Sequence, residues 1–69
     1  MAGRKWYDII KKGLDEDRQI KIMGPLPSGA EKAVNKLRDE GYSISIEINY
    51  EANGAMYTIL TAEEVPANV

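Results

Sequence analysis

Two hydrophobic periodicities run along this chain, one near 3.6 residues and one of two, and together they mark a helix, a strand, a second helix and a pair of strands. Residues 1–12 read as a short helix with Trp6, Ile9 and Ile10 on its apolar face. Arg4, Lys5, Asp8, Lys11 and Lys12 surround that face, and Gly13 is the predicted stop, with Leu14 folding back on Ile9. Lys11 and Lys12 then suit the negative end of the helix dipole. Asp15, Glu16 and Asp17 read as an acidic turn, and residues 18–23 as a strand with Ile20 and Ile22 inward and Gln19, Lys21 and Met23 outward. Gly24-Pro25-Leu26-Pro27 blocks regular structure, because each proline lacks an N–H and biases its predecessor to extended geometry.

The most specific stretch is 28–60. Ser28 and Glu31 form an S-x-x-E capping box, and Ala30, Ala33, Val34 and Leu37 make a helical apolar stripe that leaves Lys32, Asn35, Lys36 and Asp39 facing outward. Gly41 supplies the left-handed residue that ends this helix, and Tyr42 closes over Leu37. From residue 42 the pattern becomes strict alternation, with Tyr42, Ile44, Ile46, Ile48 and Tyr50 on one face and Ser43, Ser45, Glu47 and Asn49 on the other. Asn53-Gly54 is the strongest two-residue hairpin signal. Taken as the whole loop, it pairs Ala52 with Ala55, Tyr50 with Tyr57 and Ile48 with Ile59, and puts Met56 and Leu60 on the outer face beside Glu47 and Asn49. The expected fold is a single small α+β domain over residues 1–61, in the order α-β-α-β-β, with an antiparallel sheet packed on two helices. Residues 62–69 lack a pattern and read as a flexible tail.

Composition narrows the chemistry more than the fold. The chain of 69 residues has neither histidine nor cysteine, which removes the commonest general base, the thiol nucleophile, disulfides and the usual zinc ligands. No pair of carboxylates, lysines or tyrosines stands out for catalysis, so a non-enzymatic protein with no cofactor and no metal is expected. A core this small leaves stability marginal unless a partner or a homodimer adds to it. No apolar run approaches the roughly 20 residues of a membrane span and no secretory leader is apparent, so the expectation is a cytoplasmic protein without a membrane partner.

Charge is unevenly spread. Net charge is −2, yet residues 1–13 carry +3 from Arg4, Lys5, Lys11 and Lys12 against Asp8, while residues 42–69 carry −4 from Glu47, Glu51, Glu63 and Glu64. The acidic turn at 15–17 lacks the rest of a calcium loop. The G-x-x-x-x-G spacing of Gly24 and Gly29 is followed by Ala30 and Glu31 where a phosphate loop needs Lys and Ser or Thr.

The run Val34-x-x-Leu37-Arg38-x-x-Gly41-Tyr42-x-Ile44, followed by a hairpin whose second strand ends Tyr57-x-x-Leu60, resembles the recognition helix and wing of winged helix-turn-helix domains, most closely the small ones of bacteriophages. The likeness covers about half the chain. In that family a further short helix precedes the recognition helix, where this chain has Pro25-Leu26-Pro27, and the wing often carries Lys or Arg, where this hairpin carries Glu47 and Glu51. The resemblance implies a regulator that binds double-stranded DNA. Asn35 would read an adenine edge, Lys32 and Lys36 would contact phosphate or guanine, Ser28 would meet a phosphate at the helix start, and Arg4 and Lys5 would add backbone contacts. The alternative is a protein-binding module, an inhibitor of a host or defence protein, working through Met56, Leu60 and Glu47 on the outer face of the hairpin. A variant of it has Glu47, Glu51, Glu63 and Glu64 imitating phosphate spacing.

Overall fold

The computed structural model describes residues 5–66. It contains α1 (Trp6–Asp17), β1 (Gln19–Met23), α2 (Ser28–Asp39), β2 (Ser43–Tyr50) and β3 (Met56–Glu64), with the strands in one antiparallel sheet of order β1-β3-β2. Both helices pack on one face of that sheet, so the α+β class and the element order follow the sequence pattern. Arg4 lies outside the described residues, as do 67–69.

Helix α2 is built as its stripe dictates: Ala30, Ala33, Val34 and Leu37 are buried. Its end has the hydrogen bonds of a Schellman motif, with the Gly41 N–H donating to the Arg38 carbonyl at 3.1 Å and the Tyr42 N–H to the Leu37 carbonyl at 3.0 Å. Gly41 sits at φ +110°, a conformation side chains with a Cβ rarely adopt. The start differs from expectation. Pro27, not Ser28, is the cap residue, no side chain caps the helix, and Ser28 is already helical; the Glu31 N–H is satisfied instead by the Pro27 carbonyl at 2.9 Å. Pro27 is extended at φ −65° and ψ 153°, a geometry its ring favours, so the cap position moves by one residue and the expected box does not form.

Helix α1 runs past Gly13 and takes in the acidic residues 15–17, contrary to the turn expected there. Gly13 is inside the helix, where strand β1 passes close by: a Cβ there would stand 3.4 Å from Ile20, an ordinary van der Waals contact. The helix instead stops at Arg18, a non-glycine residue in the left-handed region at φ 62°, whose N–H bonds the Leu14 carbonyl at 3.0 Å. With the end moved to Asp17, no basic residue lies in the last turn, and three acids face the negative end of the dipole. Left-handed geometry costs a residue with a Cβ about 1–2 kcal/mol. Arg18→Gly is therefore expected to stabilise the protein by up to about 1 kcal/mol, once glycine's greater unfolded-state entropy is set against that relief. Urea unfolding at equal m-value reads the difference as a raised midpoint.

The hairpin register is the main departure. Tyr50 pairs with Met56, Ile48 with Thr58, Ile46 with Leu60 and Ile44 with Ala62, one residue away from the predicted pairing. The loop is three residues long: the Glu51 N–H donates to the Ala55 carbonyl at 2.8 Å, the Gly54 N–H to the Glu51 carbonyl at 2.8 Å, and Gly54 sits at φ +90°. This is a turn followed by a glycine bulge, with the Asn53 side chain accepting from the Ala55 N–H at 2.9 Å. Since side chains alternate at period two, the single-residue shift inverts β3. Leu60, expected on the outer face, is fully buried beneath the helices, as are Thr58 and Ala62, and Ile59 takes the outer position. Met56 comes to the inner face beside Tyr50, half-buried at the hairpin end.

The core joins Ile10 and Leu14 of α1, the stripe of α2, and Ile22, Ile44, Leu60 and Ala62 of the sheet. The Thr58 hydroxyl, buried on the inner face of β3, donates to the Gly24 carbonyl at 2.9 Å. Strand β3 continues through 61–64 and Val65 packs against the core, so the chain past residue 61 is not a loose tail up to residue 66.

Candidate nucleic-acid interface

The start of α1 lies across α2 and leaves a shallow groove of about 350 Å³ between them, lined by Lys5, Trp6, Tyr7, Gly29, Lys32, Ala33 and Lys36. Its walls follow from helical spacing: Gly29, Lys32, Ala33 and Lys36 fall three and four apart on one side of α2. Trp6 packs against the first turn of α2, where a Cβ at Gly29 would stand 3.0 Å from the indole Cδ1. Tyr7 holds the last turn. Its ring carries the Lys36 ammonium 4.9 Å from the centroid, and its hydroxyl donates to the Glu40 carboxylate, a bond that raises the phenol above its ordinary pKa.

The groove thus gathers three of the expected contact residues, Lys5, Lys32 and Lys36, with no acidic side chain in its lining. None of the three joins an ion pair among the described residues, where the only salt bridges are Lys11 with Asp15 and Lys21 with Glu51, each at 3.0 Å. Ser28 and Asn35 are exposed on α2 in line with Lys32, forming a ridge along one rim rather than the floor. Their side chains are free to meet a ligand; the Ser28 hydroxyl makes no cap bond. Trp6 and Tyr7 are the part that residue patterns alone do not single out. The signal available is their adjacency, which on a helix puts one on each side of the seam with a neighbour.

A different chemistry occupies the later turns of α1. Asp15 accepts from Lys11 at 3.0 Å and from the buried Tyr42 hydroxyl at 2.8 Å, tying α1 to the corner between α2 and β2. Hydrogen bonding to Lys11, then to Tyr42, holds the Asp15 carboxyl below its usual range, and Asp15 in turn raises Lys11. Burial, then the Asp15 carboxylate, pushes the Tyr42 phenol up. These groups are consumed by each other, and no cluster of three or more metal-ligating side chains exists among the described residues.

The expected protein-binding patch is dispersed. Glu47 remains exposed on the outer face beside Ile59, but Leu60 has gone to the core and Met56 to the other side of the sheet. The outer face instead carries Met23, 60% exposed, with Tyr57 and Ile59 half-buried. Glu51 is paired with Lys21, whose ammonium also stands 4.3 Å from the Tyr57 ring centroid, so of the four acids considered as phosphate mimics only Glu47, Glu63 and Glu64 are unpaired among the described residues. No helix among the described residues is long and apolar enough to cross a membrane.

Comparison with protein-family models, with curated proteins and with solved structures finds no match to this chain.

Proposed function

We propose that this chain is a non-enzymatic nucleic-acid-binding regulator of winged-helix-like type, which meets double-stranded DNA with the start of α1 and the exposed side of α2. The observation that carries the reading is the convergence of Lys5, Lys32 and Lys36 on one acid-free groove in a protein whose net charge is negative. An acidic chain that collects three unpaired cations in one place has a local potential opposite to its overall one, and phosphate is the common ligand for such a patch. Ser28 and Asn35 on the adjoining rim supply the polar groups that base edges or phosphate oxygens require. The order of helix, strand, helix and hairpin is in keeping with the winged-helix resemblance, and the acidic hairpin assigns the contact to the helices rather than to the wing.

Titration of a labelled duplex at several salt concentrations tests this. Three lysines that neutralise about one phosphate each give a log–log salt slope of roughly −3. Saturable binding at low salt with a slope near that value supports the reading, and no binding at low salt ends it.

A second reading, a protein-binding module, draws support from the open outer face, where Met23, Tyr57 and Ile59 form an apolar strip rimmed by Lys21 and Glu47. Such a strip suits a protein partner better than a nucleic acid.

A further inference from the structure

Strand β2 is an edge of the sheet, and its stretch from Ile46 to Tyr50 is little protected: it has no lysine, no arginine, no proline and no bulge, and Glu47 is its one charge. The bond between Glu51 and Ala55 sets the alternation of the ladder, so odd-numbered residues of β2 bond to β3 and the N–H and C=O groups of Ile46, Ile48 and Tyr50 point away from the sheet. Their side chains lie on the inner face, beyond the reach of the helices, and are 42%, 53% and 68% exposed. Toward the other end of the strand the edge is closed, because Arg38 Nη2 donates to the Ile44 carbonyl at 2.8 Å.

We infer that a second copy of this chain pairs with this edge, β2 against β2 in antiparallel sense, about a two-fold axis at Ile48. The register follows from elimination. Outward-pointing residues must face one another, which allows centres at Ile46, Glu47, Ile48, Asn49 or Tyr50; the last two set Ile46 against loop residues Ala52 or Gly54 and leave it without a ladder partner. Centring on Ile46 sets the Ile44 carbonyl, already bonded to Arg38, against Ile48 of the other copy. Centring on Glu47 sets two glutamates directly opposite, which is repulsive. Centring on Ile48 uses every free group and no occupied one: Ile48 faces Ile48, Ile46 faces Tyr50, and on the outer face Glu47 meets Asn49, an acceptor opposite an amide donor. The ladder gains about six backbone hydrogen bonds. It also forms one six-stranded sheet with all helices on the same side, and Ile46, Ile48 and Tyr50 of both copies fill the gap between the helix pairs. A contact this small falls below the usual size for a permanent dimer, so dissociation in the micromolar range is expected.

Sedimentation equilibrium over a wide dilution series is the test, paired with amide hydrogen exchange. The expected result is a monomer–dimer equilibrium in which the Ile46, Ile48 and Tyr50 amides slow as concentration rises. Ile48→Lys, at an exposed position, is expected to give a folded monomer at every concentration, with its circular dichroism unchanged. The register is read by Asn49: Asn49→Lys places a cation opposite Glu47 and tightens the dimer several-fold, and Asn49→Glu loosens it by a similar factor. A wild-type monomer throughout, a dimer indifferent to Ile48→Lys, concentration-dependent protection on β1 or the outer face instead, or equal effects of the two Asn49 variants would overturn the proposal.

Discussion

Leu60→Ala is expected to cost about 2–5 kcal/mol, the range for truncating a fully buried leucine without collapse of the site. At roughly 0.05–0.15 kcal/mol per residue, a domain of this size holds only about 3–10 kcal/mol in total. The variant should therefore be largely unfolded, or melt tens of degrees below the wild type, by circular dichroism or by the emission of Trp6, the only tryptophan. The magnitude decides between two registers. If Asn53-Gly54 were the whole loop, Leu60 would stand on the solvent face and its truncation would change stability by about 0.5 kcal/mol or less. A melting temperature close to wild type would refute the three-residue loop, the inversion of β3, and the ladder alternation that leaves the backbone groups of Ile46, Ile48 and Tyr50 free.

Reversing Lys32 and Lys36 together, Lys32→Glu with Lys36→Glu, is expected to weaken duplex binding at least 100-fold at low salt and to flatten the salt slope by about two, one for each phosphate neutralised. Both side chains are exposed. Among the described residues the double change breaks only the cation–π interaction of Lys36 with the Tyr7 ring, worth about 0.5–1 kcal/mol at an exposed site, so the fold should survive. Lys12→Glu is the control for net charge. It lies on α1 outside the groove, and compared with Lys32→Glu alone it should cost far less affinity. Equal losses from the two single variants would mean that binding follows overall charge and that the groove does not touch the duplex.

Much of the fold is legible in residue spacing, and the departures share a cause. The stripe Ala30, Ala33, Val34, Leu37 and the stop at Gly41-Tyr42 place α2 correctly, because both signals are local. The end of α1 is not local. Gly13 has the features of a stop, yet it stays helical where β1 packs beside it, and the true stop is Arg18 in a conformation that composition does not announce. The hairpin shows a second limit. Asn-Gly serves both a two-residue loop and a three-residue loop with a bulge, and β3 has apolar residues on each face, Met56, Leu60 and Ala62 on one and Tyr57 and Ile59 on the other. Its pattern therefore cannot choose between registers. As for the site, Lys32 and Lys36 are readable as one helical face; that Lys5, Trp6 and Tyr7 complete it depends on how α1 packs on α2, which no window along the chain contains.

The strand order has a consequence for how the protein is made. β3 lies between β1 and β2 and bonds to both, yet it is the last of the three to be translated. Until residues 56–64 emerge, a nascent chain has two strands with nothing to pair with and two helices with no sheet to rest on. Completion of the sheet is thus held back until synthesis has passed the hairpin.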